Sequence, residues 1–124
     1  MCISIRLEQY SLPSSIPGNE GEPSHLGKDE VEIGMGIHNE PGNRTAKFTS
    51  TTNLVADLMN VLTNPKDQDR AFVDFKLDGS DNVILLVNNL GGLSDLELGV
   101  ALKEAGSWCQ QNKVNVKRAI SGTL

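Results

Sequence analysis

The apolar and polar positions divide the chain into one long irregular stretch followed by strand and helix patterns in alternation. Val31, Ile33, Met35 and Ile37 alternate with Glu32, Gly34, Gly36 and His38, the period of two that predicts a strand over residues 31–38. Asn39-Glu40-Pro41-Gly42 is expected to end it, because proline lacks a ladder donor and Pro-Gly favours a turn. Leu54, Leu58, Val61 and Leu62 recur at helical spacing and predict a helix from about 52 to 62, capped by Thr51 or Thr52 and stopped by Asn64-Pro65. Phe72, Val73, Phe75 and Leu77 suggest a short strand, and Asp78-Gly79-Ser80-Asp81 a turn into the unbroken aliphatic run 83–87, which reads as a fully buried central strand. Beyond the loop Asn88-Asn89-Leu90-Gly91-Gly92, Ser94 and Glu97 stand at capping-box spacing. Leu98, Ala101, Leu102, Ala105 and Trp108 or Cys109 then form the buried stripe of a second helix, and Val114, Val116 and Ala119 begin another strand. The order strand, helix, strand implies an α/β fold, part of a mixed sheet with helices packed on it and right-handed crossovers.

Upstream of this core, Pro13, Pro17 and Pro23 are interspersed with Gly18, Gly21 and Gly27, so residues 1–28 are expected to be mostly loop and 29–124 the α/β core. A structureless stretch of that length is uncommon inside a compact domain, and the last strand runs almost to Leu124 without a polar tail. Both ends are therefore expected to be truncated, leaving one partial domain over 1–124, since 124 residues suffice for one core. A formal net charge of -5 and the lack of a dense basic cluster exclude the usual determinants of nucleic-acid and anionic-membrane binding. Lys113, Lys117 and Arg118 have the spacing of a solvated strand edge. Cys2 and Cys109 form no C-x-x-C pair and have no neighbouring histidine at ligand spacing, so neither a disulfide framework nor a metal site is expected. With no apolar run long enough for a membrane span and no secretory leader pattern, the cytoplasm is the expected compartment.

His38 is the candidate with the most chemical content. Strand alternation puts it on the face of Gly34 and Gly36, whose missing side chains would leave open backbone beside the imidazole for a small ligand. The same pattern is also compatible with a helix packed tightly on the glycines and a histidine that only ends the strand. The Asn88–Gly92 loop occupies the ligand position of open α/β sheets, yet it has neither phosphate-cradling glycine pattern and serves equally as a strand-to-helix turn. Glu30 and Glu32 are expected to be solvated, Glu40 is a candidate for orienting the turn, and His25 has no comparable setting.

Glu32-Ile33-Gly34-Met35-Gly36-Ile37-His38-Asn39-Glu40-Pro41-Gly42 and Leu85-Leu86-Val87-Asn88-Asn89-Leu90-Gly91-Gly92, in that order, resemble the second half of the substrate-binding domain of dihydroxyacetone (glycerone) kinases. The resemblance extends from about Ser11 to Leu124, and Asn39 is similar to the ATP-dependent, single-chain branch. It implies that His38 bonds covalently to the carbonyl carbon of dihydroxyacetone as a hemiaminal, with Gly36 beside the substrate. It also implies that the complete enzyme uses ATP and Mg2+, neither held by this chain. The family's Gly-Gly-Ser-Gly-His-Glu type loop, its aspartate base and its ATP domain have no counterpart in this sequence. The isolated chain is accordingly expected to be catalytically incompetent, with a missing half-domain and ATP-binding domain as partners. The alternative is a non-catalytic fragment or interaction module that keeps the fold.

Overall fold

The computed structural model describes residues 4–7, 29–35, 44–66 and 75–124. The element order is β1 (Ser4–Leu7), β2 (Glu30–Met35), β3 (Arg44–Lys47), α1 (Thr51–Thr63), β4 (Asn82–Asn88), α2 (Asp95–Gln111) and β5 (Asn115–Gly122). The fold is α/β, with antiparallel and parallel pairs in separate sheets. Two compact units result, one of residues 2–49 and one of residues 50–124.

In the first unit β2 lies between β1 and β3, antiparallel to both. The strand β1 falls within the stretch expected to be mostly loop; its four residues give too short a pattern to stand out from the prolines and glycines that follow. Val31 and Ile33 are buried, as the alternation requires, and Phe48 N–H donates to the Asp29 carbonyl at 2.7 Å, prolonging the β2–β3 ladder. Glu32, expected to be solvated, is buried instead, because β2 is the central strand with Arg6 and Thr45 in register on either side. It is held by a polar partner, as burial of a carboxylate demands. Glu30 is exposed as expected.

In the second unit Val55 and Met59 of α1 and Ala105, Trp108 and Cys109 of α2 form the core, with Leu62, Leu77, Leu85, Val114 and Val116 packed against it. The helix α1 begins one residue earlier than the apolar spacing predicts, and its cap is Ser50, not Thr51 or Thr52: Ser50 Oγ accepts from Asn53 N–H at 3.2 Å. Asn64, extended ahead of Pro65, ends it because a residue before proline is kept out of helical space. Of the short strand suggested by Phe72, Val73, Phe75 and Leu77, Phe72 and Val73 lie outside the described residues, and residues 75–77 form no strand. Leu77 has φ +44, and Asp81 Oδ2 accepts from Lys76 N–H at 2.8 Å, which ties this segment to the turn instead of a ladder. The turn is built on Asp78, whose carboxylate accepts from Ser80 N–H at 2.8 Å, and the Ser80 hydrogen bonds hold that carboxyl below its ordinary range.

The strands β4 and β5 are parallel and joined through α2. Of the aliphatic run 83–87, Val83, Leu85 and Val87 are half-buried, whereas Ile84 and Leu86 are exposed at 67% and 55%. The expectation of a fully buried central strand fails because β4 pairs with β5 alone and one face is uncovered among the described residues. Lys117 has no partner in the register, since Val83 pairs with Val116 and Ile84 with Arg118. This bulge explains why Lys117, Arg118 and Ala119 are exposed in succession.

Candidate functional site

His38 and Gly36 lie outside the described residues, as do Glu40, His25 and the turn 39–42. The strand that leads to them is described as far as Met35, and it contains a feature that simple alternation does not reveal. Ile5 pairs with Ile33 and Ser4 with Met35, so Gly34 is an extra residue in the β1–β2 ladder, with φ +84. Glycine adopts this conformation without a Cβ penalty, and an extra left-handed glycine in one antiparallel strand is a β-bulge. Among the described residues, the β2–β3 register runs as far as the pair Ile33 and Arg44, immediately before it. Within the described residues, the count by twos along β2 is interrupted at Gly34.

The β4–α2 connection is described in full. Asn89, 6% exposed, directs its side chain into the loop: Oδ1 accepts from Gly91 N–H at 3.0 Å and Leu93 N–H at 3.1 Å, and Nδ2 donates to the Leu93 carbonyl at 2.7 Å. Asn88 Oδ1 accepts from Leu124 N–H at 3.0 Å, and Asn89 N–H donates to the Gly122 carbonyl at 2.8 Å, so both asparagines join the ends of β4 and β5. Gly91 has φ +102, and a Cβ on Gly91 or Gly92 would meet open space, which leaves their outer side accessible. The amino end of α2 is closed by its own residues. Ser94 Oγ accepts from Glu97 N–H, while Glu97 Oε2 accepts from Ser94 N–H at 2.8 Å and from Ser94 Oγ at 2.7 Å. Asp95 and Glu97 add negative charge to a helix end that would otherwise attract an anion, so this loop suits a neutral ligand better than a phosphate.

Cys109 is buried, and desolvation pushes its thiol above the ordinary value, which suppresses the reactive thiolate. Among the described residues no group of three or more His, Cys, Asp or Glu is placed to hold a metal ion. No described helix is long and apolar enough to cross a membrane. Lys113, Lys117 and Arg118 are exposed, in keeping with a solvated edge.

A family model described as the Dak1 domain matches residues 9–124. The dihydroxyacetone kinase of Pichia angusta is 48% identical over 95 residues, which cover 68% of this chain and 15% of that protein. Triokinase/FMN cyclase of Bos taurus is 37% identical over 122 residues, covering 98% of this chain and 20% of that protein. Among solved structures, one described by the regulation of the dha operon of Lactococcus lactis superposes with a TM-score of 0.63 at 31% identity, covering 77% of this chain and 28% of that one. The dihydroxyacetone kinase operon co-activator Dha-DhaQ gives a TM-score of 0.61 at 28% identity, covering 78% and 28%. The chain thus spans between 15% and 20% of the length of these curated relatives.

Proposed function

Since the chain belongs to the Dak1 domain family, we propose that it is the substrate-holding portion of a dihydroxyacetone kinase, in which His38 anchors the ketone and ATP supplies the phosphoryl group. The family match over residues 9–124 carries this reading, because it takes in the run Gly36-Ile37-His38-Asn39-Glu40-Pro41-Gly42 as well as the Asn88–Gly92 loop. Relatives at up to 48% identity that bear the name dihydroxyacetone kinase support it.

The anchoring step follows from the chemistry of imidazole. A ring nitrogen of neutral His38 attacks the carbonyl carbon, the C=O π pair moves to oxygen, which takes up a proton, and the other ring nitrogen releases one. The product is a hemiaminal in which N–H has added across C=O, with nothing oxidised or reduced. An imidazole of ordinary pKa, about 6.5, is mostly neutral at cytosolic pH and can do this without a cofactor. Gly36 carries no side chain that would exclude the substrate. Glycerol has similar hydroxyls but no electrophilic carbon, so the covalent anchor selects ketones and short aldehydes.

Transfer to the terminal hydroxyl then depends on alignment and on neutralising phosphate charge, which ATP with Mg2+ on another part of the complete enzyme supplies. The carboxylates at the amino end of α2 are consistent with phosphate being held elsewhere. The chain alone binds substrate without turning it over, and its setting is the cytoplasm. A second reading, a non-catalytic module that keeps the fold, is favoured by the operon co-activator among the structural neighbours.

Carbon-13 NMR of the chain with carbonyl-labelled dihydroxyacetone and nitrogen-15 histidine separates the two readings. A tetrahedral carbon coupled to a histidine nitrogen, absent with glycerol and in His38→Ala, is the expected result. A folded chain that gives no such signal supports the non-catalytic module.

A further inference from the structure

We propose that Asp78-Gly79, in the turn before β4, is a site of isoaspartate formation that Ser80 holds in check. The chemistry begins with the residue pair. An aspartyl side chain followed by glycine can close a five-membered ring, because glycine has no side chain to shield its amide nitrogen from the neighbouring carboxyl carbon. The Gly79 nitrogen bonds to Asp78 Cγ, and the carboxyl OH leaves with the amide proton as water, giving a succinimide. Water then adds back. Opening the ring at Cγ regenerates aspartate, whereas opening it at the main-chain carbonyl leaves the backbone running through Cβ and Cγ as isoaspartate. The net change is an isomerisation, with nothing oxidised or reduced, and it lengthens the main chain by one carbon.

The structure supplies both the opportunity and the restraint. Asp78, Gly79 and Ser80 are exposed. Gly79 has φ +90, and beyond the adjoining residues a Cβ there would meet only the Lys113 carbonyl oxygen, at 3.8 Å, so packing leaves room for the ring. Against this, Asp78 Oδ1 accepts from Ser80 N–H at 2.8 Å, and the Ser80 hydroxyl bonds to the same carboxyl. Hydrogen bonds of this kind favour the carboxylate over the acid. Ring closure expels water only from the protonated carboxyl, so Asp78 must take up a proton and leave Ser80 before Gly79 can attack. Asp95 is the natural contrast: it precedes Leu96, whose side chain screens the amide, and it lies in the first turn of α2. An isoaspartate at 78 would also place an extra backbone carbon between Lys76 and Asp81, loosening the 2.8 Å bond from Lys76 N–H to Asp81 Oδ2 that leads the chain into β4.

The test ages the full chain, Ser80→Ala and Ser80→Thr side by side at neutral pH, each with and without unfolding urea. Peptide mapping with electron-transfer fragmentation counts isoaspartate at 78, and Asp95 in the same digest is the internal reference. In the folded chain Ser80→Ala is expected to form isoaspartate at 78 about tenfold faster, the scale of one hydrogen bond to a charged group, with Asp95 unchanged. Ser80→Thr, which keeps a hydroxyl, is expected to return to the slow rate. In urea the three chains should coincide at a rate above that of the folded native chain. Equal rates at 78 for the folded native chain and Ser80→Ala overturn the proposal, as does a difference that persists in urea. Should Trp108 fluorescence show Ser80→Ala to be partly unfolded, the native chain alone decides, and equal rates at 78 with and without urea overturn the proposal.

Discussion

Asn89 accepts from two amides of its own loop and donates to a carbonyl, so Asn89→Ala removes three hydrogen bonds and leaves inward-facing backbone groups without partners. We expect a loss of about 2 to 3 kcal/mol, given that an orphaned buried polar group costs about 1 to 3 kcal/mol. Urea unfolding followed by Trp108 fluorescence, which reports on the same unit, measures it. The sequence pattern located this loop but could not say which of two adjacent asparagines turns inward; that depends on the β5 end reached by both of them. Cys109 carries a second prediction. Burial raises its thiol pKa, so the unfolded chain gives up the proton first as pH rises. The contribution is whole below the ordinary thiol value and is lost as pH climbs from that value through the native one. Urea midpoints measured from neutral to alkaline pH should fall more steeply for the native sequence than for Cys109→Ala.

The helix α2 was legible at one end and hidden at the other. Ser94 and Glu97 announce the capping box by spacing alone, and Ser94→Ala should cost about 1 kcal/mol in thermal or urea unfolding. At the carboxyl end, Val114 N–H donates to the Cys109 carbonyl at 2.8 Å and Lys113 N–H to the Gln110 carbonyl at 3.4 Å, which is a Schellman motif with Lys113 at φ +57. Glycine is the usual sign of that motif, and a lysine gives no such signal. Lys113→Gly should therefore stabilise the chain by about 0.5 to 1 kcal/mol, the relief of left-handed strain less the entropy that glycine adds to the unfolded chain. A higher urea midpoint with an unchanged slope is the expected result. Gly34 escaped the sequence pattern for a related reason: alternation by twos is blind to an inserted residue until the partner strand is known. The aliphatic run of β4 likewise fixed a strand but not its burial, because continuous apolar character does not distinguish one covered face from two.

At the scale of the molecule, the order strand, helix, strand gave the α/β class, while the division into two sheets depends on pairings that no single pattern contains. Ile84 and Leu86 expose apolar surface on β4. The double variant Ile84→Lys, Leu86→Lys should reduce self-association in light scattering and change stability by no more than about 0.5 kcal/mol, as for other exposed positions. The antiparallel sheet has a different consequence, for the sequence of events in folding. The strands β2 and β3 are separated by residues 36–43, whereas β1 and β2 are separated by residues 8–29, so docking β1 must close the longer loop and lose more chain entropy. The β2–β3 hairpin is therefore the earlier structure to assemble, and β1 the last to arrive and the first to leave.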